Sequence, residues 1–151
     1  MKNVIIPVSI EFEMSWAELC AALWPEESLD DFIEEGRKSG FEGQFLYLMN
    51  GAVVAFLSLS LRYDYVEGTK TSPVGYIEGI YVKPDFQNQG IARELVEFAK
   101  KWSIEKGCSE LASDCELHND ASRKFHNKIG FKEANTIVCF VMDLRFFGRL
   151  Q

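Results

Sequence analysis

Three groups of residues in this 151-residue chain have types and spacing suited to chemistry. The first is Gln87-Asn88-Gln89-Gly90-Ile91-Ala92. It follows an apolar run ending at Tyr81-Val82 and a Lys83-Pro84-Asp85-Phe86 turn, and it leads straight into a helical pattern. A helix N-terminus carries unpaired backbone N–H groups and a partial positive charge. A tight loop of small residues ahead of it lets more N–H groups converge. Gly90 permits close backbone approach and Ala92 keeps the first turn uncrowded. Together they would make a nest for a diphosphate. The same letters also occur in ordinary strand-to-helix turns, so the loop alone names no ligand.

The second group is a pair of carboxylates, Glu78 and Asp114, each inside or at the end of an otherwise apolar predicted strand. A carboxylate in such a place needs a partner or a task. Glu78 could be a paired or exposed strand residue, and Asp114 could cap the next turn. The third group is aromatic. Trp24 and Tyr65 are either flat platforms for a ring-shaped ligand or plain core and surface side chains.

Several elements must position these groups. Val4 to Val8 reads as a strand, with Pro7 suited to an edge. Ser15-Trp16-Ala17-Glu18 resembles a capping box opening a short helix that Pro25 ends. Ser28 can cap a second helix that Gly40 terminates. Phe45–Met49 and Ala52–Leu61 are apolar runs joined by Asn50-Gly51, a strong hairpin signal because both turn positions need positive φ. Arg62 to Pro73 is a polar loop. Val74–Val82 predicts a strand, Ile91–Lys106 a helix, Leu111–Cys115 a strand and Ala121–Ile129 a helix. Phe131–Glu133 and Thr136–Asp143 predict a closing hairpin, and Leu144–Gln151 has no assignment. The order is that of a mixed α/β chain in one domain, residues 1–151.

Composition narrows the partners. Hydrophobic residues make up 47% of the chain, with 12 Phe, which is enough for a sizeable core. The net charge of −7 argues against nucleic acid and would steer a cationic ligand inward. Cys20, Cys108, Cys115 and Cys139 form no Cys-x-x-Cys pair, and His118 and His126 give no zinc-like spacing with them, so no metal is expected. Free thiols suit a reducing cytoplasm. Val4–Val8 is too short for a signal peptide and is followed by Glu11 and Glu13. No apolar stretch approaches the roughly 20 residues that span a membrane.

Gln87-x-x-Gly90-x-Ala92 resembles the Gln/Arg-x-x-Gly-x-Gly/Ala signature of the GNAT acetyltransferase superfamily. Asn119 ahead of Ala121-Ser122, and His126-Asn127-Lys128-Ile129-Gly130-Phe131, are similar to two later pieces in the same order. The resemblance spans essentially the whole chain. It implies a mixed, mostly antiparallel sheet with about four helices on both faces and a splayed pair of central strands. It also implies acetyl-CoA as co-substrate. Ile80, Tyr81 and Val82 would hold the acetyl and pantetheine arm, Gln87 to Ala92 the pyrophosphate, and Asn119 would contribute from its helix.

Within that superfamily the chain looks most like the bacterial aminoglycoside 6′-N-acetyltransferases. Leu23-Trp24-Pro25, Arg62–Gly68 through Thr71–Val74 to Ile77–Val82, and Ala112-Ser113-Asp114 carry this likeness. It implies that Trp24, Tyr65, Glu78 and Asp114 line a pocket for a polycationic antibiotic, and that the proteins form homodimers sharing C-terminal strands. Phe140, Val141, Met142, Phe146 and Phe147 would supply such a surface; alternatively the strand closes its own core. Members often carry Glu where Asn135 falls, a change that would weaken one ammonium contact.

The expected reaction is direct transfer, with no acyl-enzyme, because no cysteine has a base beside it in sequence. Glu78 or Asp114 would accept the amine's proton, through water. A backbone N–H of the Ile80–Val82 strand would hold the oxyanion. Where many members have a Tyr acid for the leaving thiolate this chain has His126, which could donate a proton or simply pack. Two other readings are an acetyltransferase for another amine, such as a polyamine, an amino acid or a protein N-terminus, and a non-catalytic acyl-CoA sensor. The first is opposed by the Tyr65-to-Gly79 segment, the second by the presence of both carboxylates.

Overall fold

The computed structural model describes residues 3–145, in two compact units, one ending at Cys115 and the other starting at Glu116. The first unit is built on a sheet of five strands in sequence order: β1 Val4–Pro7, β2 Gln44–Met49, β3 Ala52–Arg62, β4 Val74–Val82 and β5 Leu111–Ala112. The first three pairings are antiparallel and only β4–β5 is parallel. Pro7 lies on the edge strand, where its missing N–H interrupts no ladder. Asn50 and Gly51 turn the β2–β3 hairpin with φ of 51° and 84°, as the two-residue turn demands.

Helices cover both sheet faces because the strands alternate apolar residues to each side. Leu46, Leu48 and Phe56 pack with Trp16, Leu19 and Phe32 from α1 (Glu13–Leu23) and α2 (Leu29–Ser39). Phe45 and Tyr47 point the other way. Phe45 meets Phe98 of α3 (Ile91–Glu105) at 4.7 Å between ring centroids, and the Tyr47 hydroxyl donates to Glu94 of the same helix. Ser28 caps α2 by accepting the Asp31 N–H at 3.1 Å, and Gly40 ends that helix.

Three expectations need correction. Ser15 does not open α1: a 3₁₀ turn, Ile10–Phe12, feeds directly into the helix at Glu13, so Ser15 already lies inside the first turn. Glu13 suits that turn's dipole and pairs with Arg37 of α2. The strand expected over Leu111–Cys115 is only two residues long, pairing with Gly75 and Tyr76. Asp114 therefore lies in the loop beyond it. Phe131–Glu133 and Thr136–Asp143 form no strand. Apolar alternation marks where a strand could pair, but a strand also needs a facing edge.

The second unit contains α4, Asp120–Lys128, one residue offset from the expected helix. Asn119 caps it, accepting the Ser122 N–H at 3.1 Å. Beyond it residues 131–143 form no helix or strand, and Phe140 and Val141 are 91% and 98% exposed. Phe146 and Phe147 lie outside the described residues.

Candidate active site

A β-bulge shapes the centre of the first unit. Ser58 of β3 pairs with Gly79 and Leu59 pairs with Ile77, so Glu78 is the extra residue on β4. Bulges re-aim side chains and bend the strand. Ser58 and Ser60 share one face of β3, and Ser60 donates to Glu78, so the extra residue turns its carboxylate toward the face that α1 and α2 cover.

β4 and β5 then part. Their ladder stops at Tyr76 and Ala112, which leaves one edge of β4 from Ile77 to Val82 without a strand partner among the described residues. Lys83 donates its N–H to Val54 of β3 at 2.9 Å, while the Val82 carbonyl accepts from the Gln87 side chain at 3.0 Å. Alternate residues of a strand face opposite edges, so Ile80 and Val82 turn their backbone groups toward the open edge. An extended chain bearing amide groups can add along such an edge as a further strand would.

That edge runs into the Gln87–Ala92 loop. A 3₁₀ turn, Pro84–Phe86, reverses the chain, and Gln87 fastens the loop back onto β4. Gly90 is the N-cap of α3, with φ of 85° and no side-chain cap bond, so the helix's first N–H groups are left for another acceptor. The space where a Gly90 Cβ would stand is open to 4 Å. Its backbone conformation, rather than crowding by the protein, is what demands glycine. Asn88 also adopts positive φ, 62°, which Asn tolerates better than most residues.

Glu78 and Asp114 are brought into one side-chain cluster, joined by residues that sequence reasoning missed. Arg62, the last residue of β3, donates from Nε to Glu78 Oε2 at 3.0 Å and from Nη2 to Oε1 at 2.7 Å. Its guanidinium carbon lies 3.5 Å from the centroid of the Tyr76 ring. The Tyr76 hydroxyl donates to Asp114. Burial alone would raise the Glu78 carboxyl, but the hydrogen bonds from Arg62 and Ser60 outweigh it and hold the group below its ordinary value. Burial and the Asp114 hydrogen bond push the Tyr76 phenol up, so it stays a donor. Alternation of residues 58, 60 and 62 on one strand face was readable in the sequence. The match to Glu78 was not, because it depends on the bulge.

The aromatic candidates separate. Trp24 is partly buried, packed against Phe56 and Phe32 with centroids 5.8 and 6.2 Å away. It lines a cavity of about 320 Å³ together with Glu27, Phe32 and Ser58. Tyr65 stands exposed on the Arg62–Pro73 loop, its hydroxyl 2.6 Å from Glu67. That loop is anchored by Glu110, which the sequence did not single out. Its Oε1 accepts the N–H groups of Lys70 and Thr71 at 2.9 and 2.8 Å.

Cys20 is buried and its thiol is pushed up to about 12, by burial and then by Glu27. Cys108 is buried as well, and all four thiols are free. In the second unit Asn119 is engaged as a cap, and Asn135 is exposed in the segment beyond α4. His126 Nδ1 lies 2.7 Å from the Ser122 carbonyl. A carbonyl only accepts, so Nδ1 carries the proton.

Residues 10–131 match the model of the acetyltransferase (GNAT) family. The chain is 39% identical over 140 residues to aminoglycoside N(6′)-acetyltransferase type 1 of Acinetobacter genomosp. 13, covering 90% of this chain and 95% of that protein. The fold matches AAC(6′)-Iy, solved with the bisubstrate analogue CoA-S-monomethyl-acetylneamine, at a TM-score of 0.88 and 30% identity over 95% of this chain and 99% of that one. It matches the aminoglycoside 6′-N-acetyltransferase AAC(6′)-Ih from Acinetobacter baumannii at 0.87 and 35% identity, over 94% and 99% of the two chains. With a family match across most of its length and relatives above 30% identity along nearly all of it, this chain belongs to the acetyltransferase (GNAT) family.

Proposed function

We propose that the protein transfers the acetyl group of acetyl-CoA to the 6′-amine of aminoglycoside antibiotics, and so confers resistance to them. The observation that carries this reading is the joined Glu78–Arg62–Tyr76–Asp114 cluster beside an open β4 edge that leads into the Gln87–Ala92 loop. One end suits a diphosphate and an amide-bearing arm. The other suits a substrate carrying several ammonium groups.

In this reading residues 1–151 act as one acetyltransferase domain. Gln87 to Ala92 hold the pyrophosphate with loop and helix N–H groups. Ile80, Tyr81 and Val82 hold the acetyl and pantetheine arm. Trp24, Tyr65, Glu78 and Asp114 receive the aminoglycoside. Glu78, held below its ordinary value, is a weak direct base, so Glu78 or Asp114 draws the ammonium in and takes its proton through water. The free amine attacks the thioester carbonyl. An outward N–H of Ile80 or Val82 steadies the oxyanion, and the thiolate leaves. Alignment of amine and thioester supplies much of the rate. The high Cys20 thiol and the burial of Cys108 support transfer without an acyl-enzyme.

The exposed Val138, Phe140, Val141 and Met142 support a homodimer in which Thr136–Asp143 pairs with a second copy. Free cysteines fit the cytoplasm. No described helix is long and apolar enough to cross a membrane.

The test is thiol release from acetyl-CoA with kanamycin A, with an aminoglycoside lacking the 6′-amine, and with spermidine. Turnover with kanamycin A alone, and a product mass increased by one acetyl group, is expected. Turnover with spermidine and none with kanamycin A would overturn the substrate assignment. Sedimentation equilibrium at twice the chain mass is expected for the dimer.

A further inference from the structure

The Arg62 guanidinium is held from two directions. Its Nε and Nη2 donate to the two oxygens of Glu78, and its plane lies against the Tyr76 ring, 3.5 Å from the centroid. Two parallel N–H···O bonds fix the plane of a carboxylate as well as its position, which a lysine ammonium cannot do. Tyr76 is fixed in turn, because its hydroxyl donates to Asp114. Among the described residues Glu78 has one further partner, the Ser60 hydroxyl. From α1 the adjoining position is apolar, with Trp24 and Leu23 seated over Gly79. Among the described residues, the charged and titratable groups that act on Arg62 and Glu78 are each other, Tyr76 and Asp114.

Arg62 is the last residue of β3, and the bulge at Glu78 is what aims the carboxylate at it. Both side chains are partly exposed, 41% for Arg62 and 32% for Glu78. An isolated ion pair so exposed contributes little to stability. A salt bridge that is bidentate, stacked and hydrogen-bonded onward to a second carboxylate serves better to hold geometry than to hold the fold.

We propose that Arg62 is a positioning residue for the acceptor site: it fixes Glu78 in one orientation and, through Tyr76, ties it to Asp114, so that the two carboxylates act as one preorganised pair. This rests on the reading of Glu78 and Asp114 as the groups that receive the amine. Without Arg62, Glu78 keeps its burial and the Ser60 bond but loses the contacts that hold its charge. The carboxyl then titrates higher and, held by the Ser60 bond alone, is no longer fixed in its plane.

The test uses the full chain and two independent readouts. Carboxyl ¹³C NMR follows the Glu78 titration, assigned through Glu78→Gln, in wild type, Arg62→Gln and Arg62→Lys. Arg62→Gln is expected to raise the Glu78 pKa by about one unit or more, and Arg62→Lys to restore part of that shift. In steady state, kcat/KM for kanamycin A in Arg62→Gln should fall at least tenfold at pH 7 and further as pH falls toward 5, while KM for acetyl-CoA stays within twofold. An unmoved Glu78 titration in both variants, or pH profiles that superimpose on wild type, overturns the proposal. If wild type acetylates no aminoglycoside, the assigned substrate falls, and the NMR titration still decides what Arg62 does. Arg62→Lys, which keeps the charge, covers the case in which Arg62→Gln does not fold.

Discussion

Trp24 rests directly on the backbone of Gly79. A Cβ built at Gly79 would stand 2.5 Å from Trp24 Cη2 and 2.7 Å from Cζ2. The residue beside the bulged Glu78 is therefore a seat for an aromatic ring, and Trp24, which follows α1, meets β4 at this point. Gly79→Ala should displace Trp24. The expected loss is about 1–3 kcal/mol of stability, typical of overpacking, together with at least a tenfold drop in kcat/KM for the amine. Urea denaturation and steady-state kinetics read the two effects. An alanine enzyme with wild-type kinetics would show that the seat is unimportant to the site.

Gly90 presents the opposite problem. An added Cβ meets nothing within 4 Å, but φ is 85°. Gly90→Ala should cost roughly 1–2 kcal/mol in backbone conformation. Its functional effect should fall on the donor: weaker CoA binding by calorimetry, with KM for the aminoglycoside little changed. Equal weakening of both substrates would contradict the division of the site into a donor loop and an acceptor cluster.

Glu78 makes a signed prediction about acid. The folded protein holds its carboxyl below the ordinary value of 4.5. The stability this contributes is present above that value and is lost as pH falls through the lower, folded one. The difference in Tm between wild type and Glu78→Gln should be constant near neutrality and shrink toward zero on acidification below about 4.5. A difference that grows in acid would mean the group is raised instead.

Glu110 anchors the loop that presents Tyr65. Thr71 donates to it from both N–H and hydroxyl, and Lys70 from its N–H. These bonds hold its carboxyl below the ordinary range. Glu110→Ala should remove hydrogen-exchange protection at the Lys70 and Thr71 amides. KM for the aminoglycoside should rise several-fold while KM for acetyl-CoA holds. Unchanged exchange at both amides would refute the anchoring role.

Direct transfer has its own check. A Cys20 thiol pushed up to about 12 is almost wholly protonated at neutral pH. Protein mixed with radiolabelled acetyl-CoA and no amine should carry no label after denaturation. A labelled cysteine peptide would replace the ternary-complex route with an acyl-enzyme.

Much of the framework was legible because it is encoded locally. Asn50-Gly51 turns a hairpin through the conformations those two residues favour, and Ser28 and Gly40 cap α2 by side-chain and backbone chemistry within a few positions. The Gln87–Ala92 loop belongs to this class as well, since a strand end, a positive-φ glycine and a helix start are neighbours in sequence. Where a signal needed a distant partner, local reading failed. Ser15 has the letters of a capping box, but the 3₁₀ turn from Ile10 to Phe12 starts the helix before it. Thr136–Asp143 has the letters of a strand, yet no strand forms there.

The sequence by itself therefore marked most of the helices and strands, the Gln87–Ala92 loop and two carboxylates, Glu78 and Asp114, that apolar surroundings make conspicuous. Only the tertiary structure decided what those carboxylates touch. Arg62 reaches Glu78 because β3 and β4 pair antiparallel with one extra residue at the bulge, and Tyr76 reaches Asp114 because β5 stops after two residues. Register and strand length are cooperative properties of a whole sheet, set by which faces are buried and which edges are shared, and no local pattern contains them.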